Sequence, residues 1–178
     1  MKILAIADID DFLWKYGSGQ AEVLMSCGDV SDRVILEAAE AYDCRAVFAV
    51  KGNHDSPAPF AKPILDLHLQ TRKHGSLIFG GLNGSWRYKP RGYFLYDQGQ
   101  VDGFLSTFVP VDVFLSHNSP RGIHDREDGV HHGFDALNTY INRANPKVLI
   151  HGHQHVNRET VVALTRVIGV YGFKVIEI

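Results

Sequence analysis

Cysteine is nearly absent from this sequence, with Cys27 and Cys44 the only two in 178 residues. So sparse a supply excludes a disulfide scaffold and suits a reducing compartment, so a cytoplasmic location is expected. Neither sign of charge dominates: eighteen Lys and Arg against twenty Asp and Glu leave a formal net charge of -2. No basic field is available for wrapping a nucleic-acid backbone. Long apolar runs are missing as well. The opening run, Lys2 to Ala7, meets Asp8, Asp10 and Asp11; it is too short for a membrane span and lacks a signal-peptide cleavage pattern. No membrane partner is expected.

What is present is enough apolar material, 45% of residues, for a continuous core, and the length fits a single domain over residues 1–178. No linker, low-complexity tract or internal repeat divides it. Ten histidines are the anomaly. Seven fall late, at His117, His124, His131, His132, His151, His153 and His155, where imidazoles can bind metal or move protons.

Lys2 to Ala7 reads as a strand buried on both faces, entering an acidic turn. Glu22 to Ser26 and Arg45 to Val50 repeat the pattern, entering Cys27-Gly28-Asp29 and Gly52-Asn53-His54-Asp55. Between them Ser31 or Asp32 is placed to cap a helix through about Tyr42. Leu67 to Leu69 and Ser76 to Leu82 are expected strands, the second running into Gly80-Gly81 and Asn83-Gly84 as a turn region. Gln98 to Phe108 is ambiguous, with some helical character. Val111 to Ser116 is a strand ending at His117, Phe134 to Ala144 a helix, and Lys147 to Ile150 a strand before His151-Gly152-His153-Gln154-His155. Residues 118–132 form a polar loop broken by Pro120, Gly122 and Gly129. Three β-rich runs follow: Glu159 to Leu164, Arg166 to Tyr171 and Phe173 to Ile178. The early β-loop-helix units imply parallel strands and the close terminal ones antiparallel pairing, which a mixed α/β sandwich accommodates.

Asp8 and Asp10, Asp29, Asn53 and His54, His117, and His153 and His155 each follow an expected strand. Loops at one sheet edge can bring such separated groups together. If strand geometry persists, Asp8 and Asp10 share a face, and a cation would offset their repulsion; a lone Asp-x-Asp is more often a solvated turn. His153 and His155 can converge after Gly152, which permits close approach and unusual dihedrals. Recurrence of the same spacing at the two ends of the sequence favours metal ligation. A carboxylate, amide and imidazole set suits manganese, iron, zinc or nickel.

Taken in order, Asp8-Ile9-Asp10, Gly28-Asp29, Gly52-Asn53-His54-Asp55, His117 and Gly152-His153-Gln154-His155 resemble the calcineurin-like metallophosphoesterase family. Its pattern is Asp-x-His, Gly-Asp, Gly-Asn-His-Asp/Glu, a separate His and Gly-His-x-His, and the resemblance spans positions 8 to 155. It implies a four-layer α/β/β/α sandwich with two mixed β-sheets. It also implies two divalent metal ions, manganese preferred, with Asp8, Asp10 and His155 on one, Asn53, His117 and His153 on the other, and Asp29 bridging. Asp10 departs from the family's His, which leaves metal identity and occupancy of the first position open. His54 is assigned by the resemblance to transition-state stabilisation or leaving-group protonation. Asp32 is either a helix cap or the carboxylate that orients His54. Arg33 and Arg121 are phosphate-contact candidates, each equally readable as a surface arginine.

The implied activity is hydrolysis of a small phosphate ester, a diester preferred over a monoester, with a metal-activated water attacking phosphorus and no covalent phosphoenzyme. Trp14, Tyr16, Trp86, Tyr88 and Tyr93 are either an aromatic rim or local packing. A haloacid-dehalogenase-like reading of Asp8 and Asp10 leaves the Asn-His and His-x-His pieces unexplained, and Phe12 stands where a small hydroxyl residue is expected. A different class is a catalytically silent, protein-binding scaffold of the same fold, resembling the retromer subunit. A homo-oligomer is compatible with the sequence.

Overall fold

The computed structural model describes residues 1–9 and 19–178; the expectations placed on Asp10, Asp11, Phe12, Trp14 and Tyr16 lie outside the described residues. Period-two patterning builds the first layers. In β1 (Lys2–Ala7), Ile3, Ala5 and Ala7 face one core while Leu4 and Ile6 face another, all of them buried. A strand apolar on both faces needs cover on both. β1 pairs in parallel with β2 (Val23–Ser26), β2 with β3 (Ala46–Ala49), and β3 with β4 (Leu65–Asp66). The far edge is β13 (Gly172–Glu177), antiparallel to β1. The second sheet runs β11 (Arg158–Val162), β12 (Thr165–Gly169), β10 (Val148–His151), β9 (Val113–Ser116), β6 (Leu77–Leu82) and β5 (Thr71–His74). Its two edge pairings are antiparallel and its inner ones parallel. A short parallel pair, β7 (Ser85–Trp86) and β8 (Leu95–Tyr96), stands apart.

The inner faces of the two sheets share one core, with Ile3, Met25 and Phe48 from the first and Phe79, Leu115, Ile150 and Ile168 from the second. Helix α1 (Asp32–Ala41) covers the outer face of the first sheet through Val34, Ile35 and Ala38. Helices α2 (Gln98–Ser106) and α3 (Asp135–Ala144) cover the second through Val101, Leu137 and Ile141. The result is the expected α/β/β/α sandwich with two mixed sheets. Each fully buried Leu or Ile contributes roughly 1.5–3 kcal/mol, so the shared inter-sheet core is the strongest tie between the halves. Among the described residues no helix is long and apolar enough to cross a membrane.

Three local readings are corrected. Leu67 to Leu69 is not a strand: Asp66 Oδ1 accepts the His68 N–H at 2.8 Å and Leu69 has φ 52°, so the chain turns there. Gly80 and Gly81 belong to β6 rather than to a turn, because a Cβ at Gly81 would stand 2.6 Å from the Leu115 carbonyl oxygen. The ambiguous Gln98 stretch is helix α2, started by a reciprocal cap between Asp97 and Gln100. The polar β5 and the short β7 and β8 carry no apolar alternation, so nothing in the sequence announces them.

Candidate metal centre

The carboxyl ends of β1, β2 and β3 deliver Asp8, Asp29 and Asn53, and those of β9 and β10 deliver His117, His153 and His155. Asp8, Asp29, His153 and His155 all have left-handed backbone, with φ of 51°, 55°, 63° and 52°. Non-glycine residues adopt that region rarely and at a cost of order 1–3 kcal/mol. Four such residues around one point mark a place where side-chain direction takes precedence over backbone comfort.

Asp8, Asp29 and His117 offer ligand atoms that lie within 4.8 Å of one another. Asp29 Oδ1 accepts the His54 backbone N–H at 2.8 Å, while Oδ2 lies 3.4 Å from His117 Nε2. Asp8 Oδ2 accepts the His153 backbone N–H at 2.8 Å. Its Oδ1 is buried with no hydrogen-bond partner among the described residues, approached by His155 Nε2 at 3.7 Å. A buried carboxylate oxygen without a donor is expensive unless a cation faces it.

The His117 ring makes the same point more sharply. Its Nδ1 lies 2.8 Å from the Cys27 carbonyl oxygen, a group that only accepts, so Nδ1 carries the proton. In the tautomer whose single proton sits there, Nε2 presents a lone pair towards two more acceptors, Asn53 Oδ1 at 2.9 Å and Asp29 Oδ2 at 3.4 Å. Asn53 is oriented by its amide nitrogen, which donates to the Tyr88 hydroxyl at 3.2 Å. Lone pairs converging without a proton between them fit a bound cation.

His153 is 4% exposed, and its ring lies 4.9 Å from that of His117. Burial first, and then the neighbouring His117 ring, push its pKa down to about 2, so it is a neutral lone-pair donor across ordinary pH. His155 moves the other way, raised chiefly by its approach to Asp8. Two glycines make room by closeness. A Cβ on Gly52 would stand 2.1 Å from Asp29 Oδ1, and one on Gly152 would stand 2.8 Å from Asp8 Oδ2. For Gly152, close approach is the whole reason: its φ is not among the positive ones.

Asp10 lies outside the described residues. Ser31, not Asp32, caps α1, accepting the Val34 N–H at 3.4 Å. The Asp32 carboxylate accepts the Ala61 N–H at 2.6 Å and faces Lys51 Nζ at 3.8 Å; no hydrogen bond joins it to His54. Both residues line an open cleft of about 480 Å³ with Asp29, Ser31, Lys51 and Ser56. Arg33 pairs with Glu37 at 3.0 Å along α1. Arg121 is held by Asp125 at 2.6 Å and Glu127 at 2.5 Å. Neither arginine is brought into the Asp8, Asp29 and His117 cluster. Of the aromatic candidates, Tyr88 orients Asn53, Trp86 packs on His132 with ring centroids 5.1 Å apart, and Tyr93 is exposed.

Sequence reasoning missed three supporting residues. Asp55, present in the sequence only as the last residue of Gly52-Asn53-His54-Asp55, accepts the Gly52 and Asp29 backbone N–H groups at 2.7 and 2.9 Å, tying the two loops together. Burial raises its pKa. Gln154, between the two site histidines, is fully buried, and its amide nitrogen faces Asn118 Oδ1, Ser119 Oγ and the His131 carbonyl at 3.1, 3.0 and 3.0 Å. Lys51, buried against the Phe60 ring at 3.7 Å, forms the back of the cleft. Adjacency to a motif was the one signal available for each.

A family model for calcineurin-like phosphoesterases matches residues 1–157. Solved structures of similar fold include the phosphopantetheinyl hydrolase PptH from Mycobacterium tuberculosis, with TM-score 0.63 and 14% identity over 96% of this chain and 89% of that one. The protein TT1561 of Thermus thermophilus gives 0.61 and 14%, again over 96% and 89%. Wild-type Vps29 from Entamoeba histolytica complexed with Zn²⁺ gives 0.54 and 15%, over 100% and 86%. At such identities the likeness is one of fold. No curated protein matches the chain significantly.

Proposed function

The chain belongs to the calcineurin-like phosphoesterase family, and on that premise we propose that it hydrolyses a small phosphodiester at a centre of two divalent metal ions, manganese preferred. The observation that carries this is the convergence of His117 Nε2, Asn53 Oδ1 and Asp29 Oδ2, beside Asp8 Oδ1, which has no hydrogen-bond partner among the described residues. In this reading Asp8, Asp10 and His155 would hold one ion and Asn53, His117 and His153 the other, with Asp29 serving both. When bound, the ions would supply Lewis-acid charge to phosphoryl oxygens and lower the pKa of water.

The protein's own groups do the rest. Asp29 is fixed by the His54 amide and shielded from side-chain crowding by Gly52, so its second oxygen keeps one position through turnover. His153 stays neutral and so keeps its lone pair. His54 is exposed at the mouth of the cleft, in place to donate a hydrogen bond to the departing oxygen. Asp32 and Lys51 shape the cleft wall instead of orienting His54. A diester carries a substituent on each side of phosphorus, and the cleft beside His54 has room for one of them. Since both sheets contribute ligands, residues 1–178 act as one domain in this reading.

Metal content measured together with turnover of mono- and diester substrates in Mn²⁺ tests the proposal. Retained metal with no turnover of any ester is the behaviour of a silent scaffold and overturns it; preferential monoester turnover overturns the diester preference. Asp29→Asn is expected to cost far more than the roughly 10–100-fold seen when outer partners of metal ligands are removed. Full activity with metal retained would sink the assignment.

A further inference from the structure

We propose that Lys51 and Asp32 form a donor and acceptor pair that reads a hydroxyl group on the departing alcohol, so that the ester hydrolysed carries a polyol rather than a plain alkyl group. The inference rests on the phosphoesterase reading and names the substrate class of the same cleft. Lys51 is the unusual residue of the cleft wall. Its side chain is only 8% exposed, and lysine is seldom buried so far without a close partner. The ammonium lies 3.7 Å from the centre of the Phe60 ring and 3.8 Å from Asp32 Oδ1, the latter an ion-pair distance too long for a hydrogen bond. No described residue accepts a hydrogen bond from it. Nor is the nitrogen sealed off: among the described residues the fully enclosed polar atoms without a partner belong to Asp8, Ser26, Asn83 and Gln154. Three N–H donors therefore stand at the back of an open cleft with their acceptor missing.

Asp32 is fixed beside them. Its Oδ2 accepts the Ala61 N–H at 2.6 Å, while Oδ1, turned towards Lys51, has no hydrogen bond among the described residues. Both residues line the cleft of about 480 Å³ together with His54, which puts them on the side of the departing oxygen. A donor and an acceptor 3.8 Å apart leave a place for one hydroxyl roughly 2.8 Å from each, accepting from the ammonium and donating to the carboxylate. An alkyl group in that place would leave both unpaired. A second anionic group would suit Lys51 but meet the Asp32 charge at the same point. Ser31 and Ser56 on the same wall accept the Val34 and Ala58 N–H groups at 3.4 and 3.2 Å, which leaves their own hydroxyl protons to a further oxygen of the polyol.

Release of glycerol from methyl glyceryl phosphate and of propanol from methyl propyl phosphate, each normalised to bound metal, tests this, with bis(p-nitrophenyl) phosphate as a diester that carries no hydroxyl. In the parent kcat/KM is expected to favour the glyceryl ester by about tenfold or more, the worth of a hydrogen bond to a charged group. Lys51→Met keeps a straight apolar stem against Phe60 and is expected to lose the preference. Asp32→Asn still accepts the Ala61 N–H but turns an amide donor to the cleft, and is expected to lose it in part. A parent that cleaves bis(p-nitrophenyl) phosphate yet treats the glyceryl and propyl esters alike overturns the proposal and leaves the phosphoesterase reading standing. A preference retained in both variants overturns it as well. Should the melting curve show Lys51→Met unfolded, Asp32→Asn decides alone, and a preference equal to the parent's overturns the pairing. A metal-loaded parent that cleaves none of these esters overturns the phosphoesterase reading first, and this role with it.

Discussion

The two sheets bring unlike chemistry to one seam. The first contributes oxygen, from Asp8, Asp29 and Asn53; the second contributes imidazole, from His117, His153 and His155. They also fasten their groups differently. Carboxylates of the first sheet are held by backbone N–H groups, as Asp29 is by His54 and Asp8 by His153. On the second sheet His117 is held by a carbonyl, that of Cys27. Two of these fastenings cross between the sheets, Asp8 to His153 and His117 to Cys27. Each sheet therefore completes the geometry of the other's donors, and neither alone offers a cation its full set of lone pairs. Oxygen donors repel one another and imidazoles bury poorly when charged, so the mixture is also what makes the cluster tolerable before metal arrives.

Removing metal should expose this division most. With metal at about 100 times its Kd, binding contributes roughly 2.7 kcal/mol of stability, and chelation should lower the melting temperature accordingly. Equal melting curves with and without chelator would mean that no such ion bridges the sheets. Gly52→Ala and Gly152→Ala then compare the two halves directly. The first brings a Cβ to 2.1 Å from Asp29 Oδ1 and should abolish metal-dependent activity; the second, at 2.8 Å from Asp8 Oδ2, should weaken metal binding less. Titrations of both variants with Mn²⁺ decide the order, and the reverse ranking would remove Asp29 from the centre.

An effect of similar size belongs to the second sheet alone. Burial pushes the His151 pKa down to about 4 from 6.5. The ring is neutral in folded and unfolded chains above pH 6.5. Below it the unfolded chain takes up the proton first, so stability falls as pH drops from 6.5 towards 4 and then levels off. Across that window the loss is on the order of 3 kcal/mol. Urea melts of metal-free protein should show the slope, and His151→Gln should flatten it; an unchanged slope would place the acid sensitivity elsewhere. Smallest of all, Glu37→Ala on the first-sheet helix removes an exposed i,i+4 pair with Arg33. About 0.2–0.5 kcal/mol of stability should go with it in urea melts, with turnover unchanged.

Neutral imidazoles also form a directed chain on the second sheet. His151 Nδ1 faces the Gly152 carbonyl at 2.9 Å, so its Nε2 accepts from His124 Nδ1 at 2.9 Å, and His124 Nε2 accepts from the Thr160 hydroxyl at 2.9 Å. This ties edge strand β11 to the turn that carries His153. Nothing of the kind was legible in sequence, where His124 stood among unassigned polar residues, because the partners lie 27 and 36 positions away.

The sequence by itself determined the strand-loop units and the residue types at their ends. The continuous apolar run from Lys2 to Ala7 and the short runs before Asp29, Asn53, His117 and His153 are local signals, written in neighbouring residues. Only the tertiary structure decided what those ends do together. That Asp32 accepts from Ala61 instead of capping α1, and that Asp55 ties Gly52 to Asp29, both depend on contacts across loops. The physical reason is range: backbone preference acts over a few residues, whereas a lone pair's partner is set by how two sheets dock, and docking is fixed by the whole inter-sheet core.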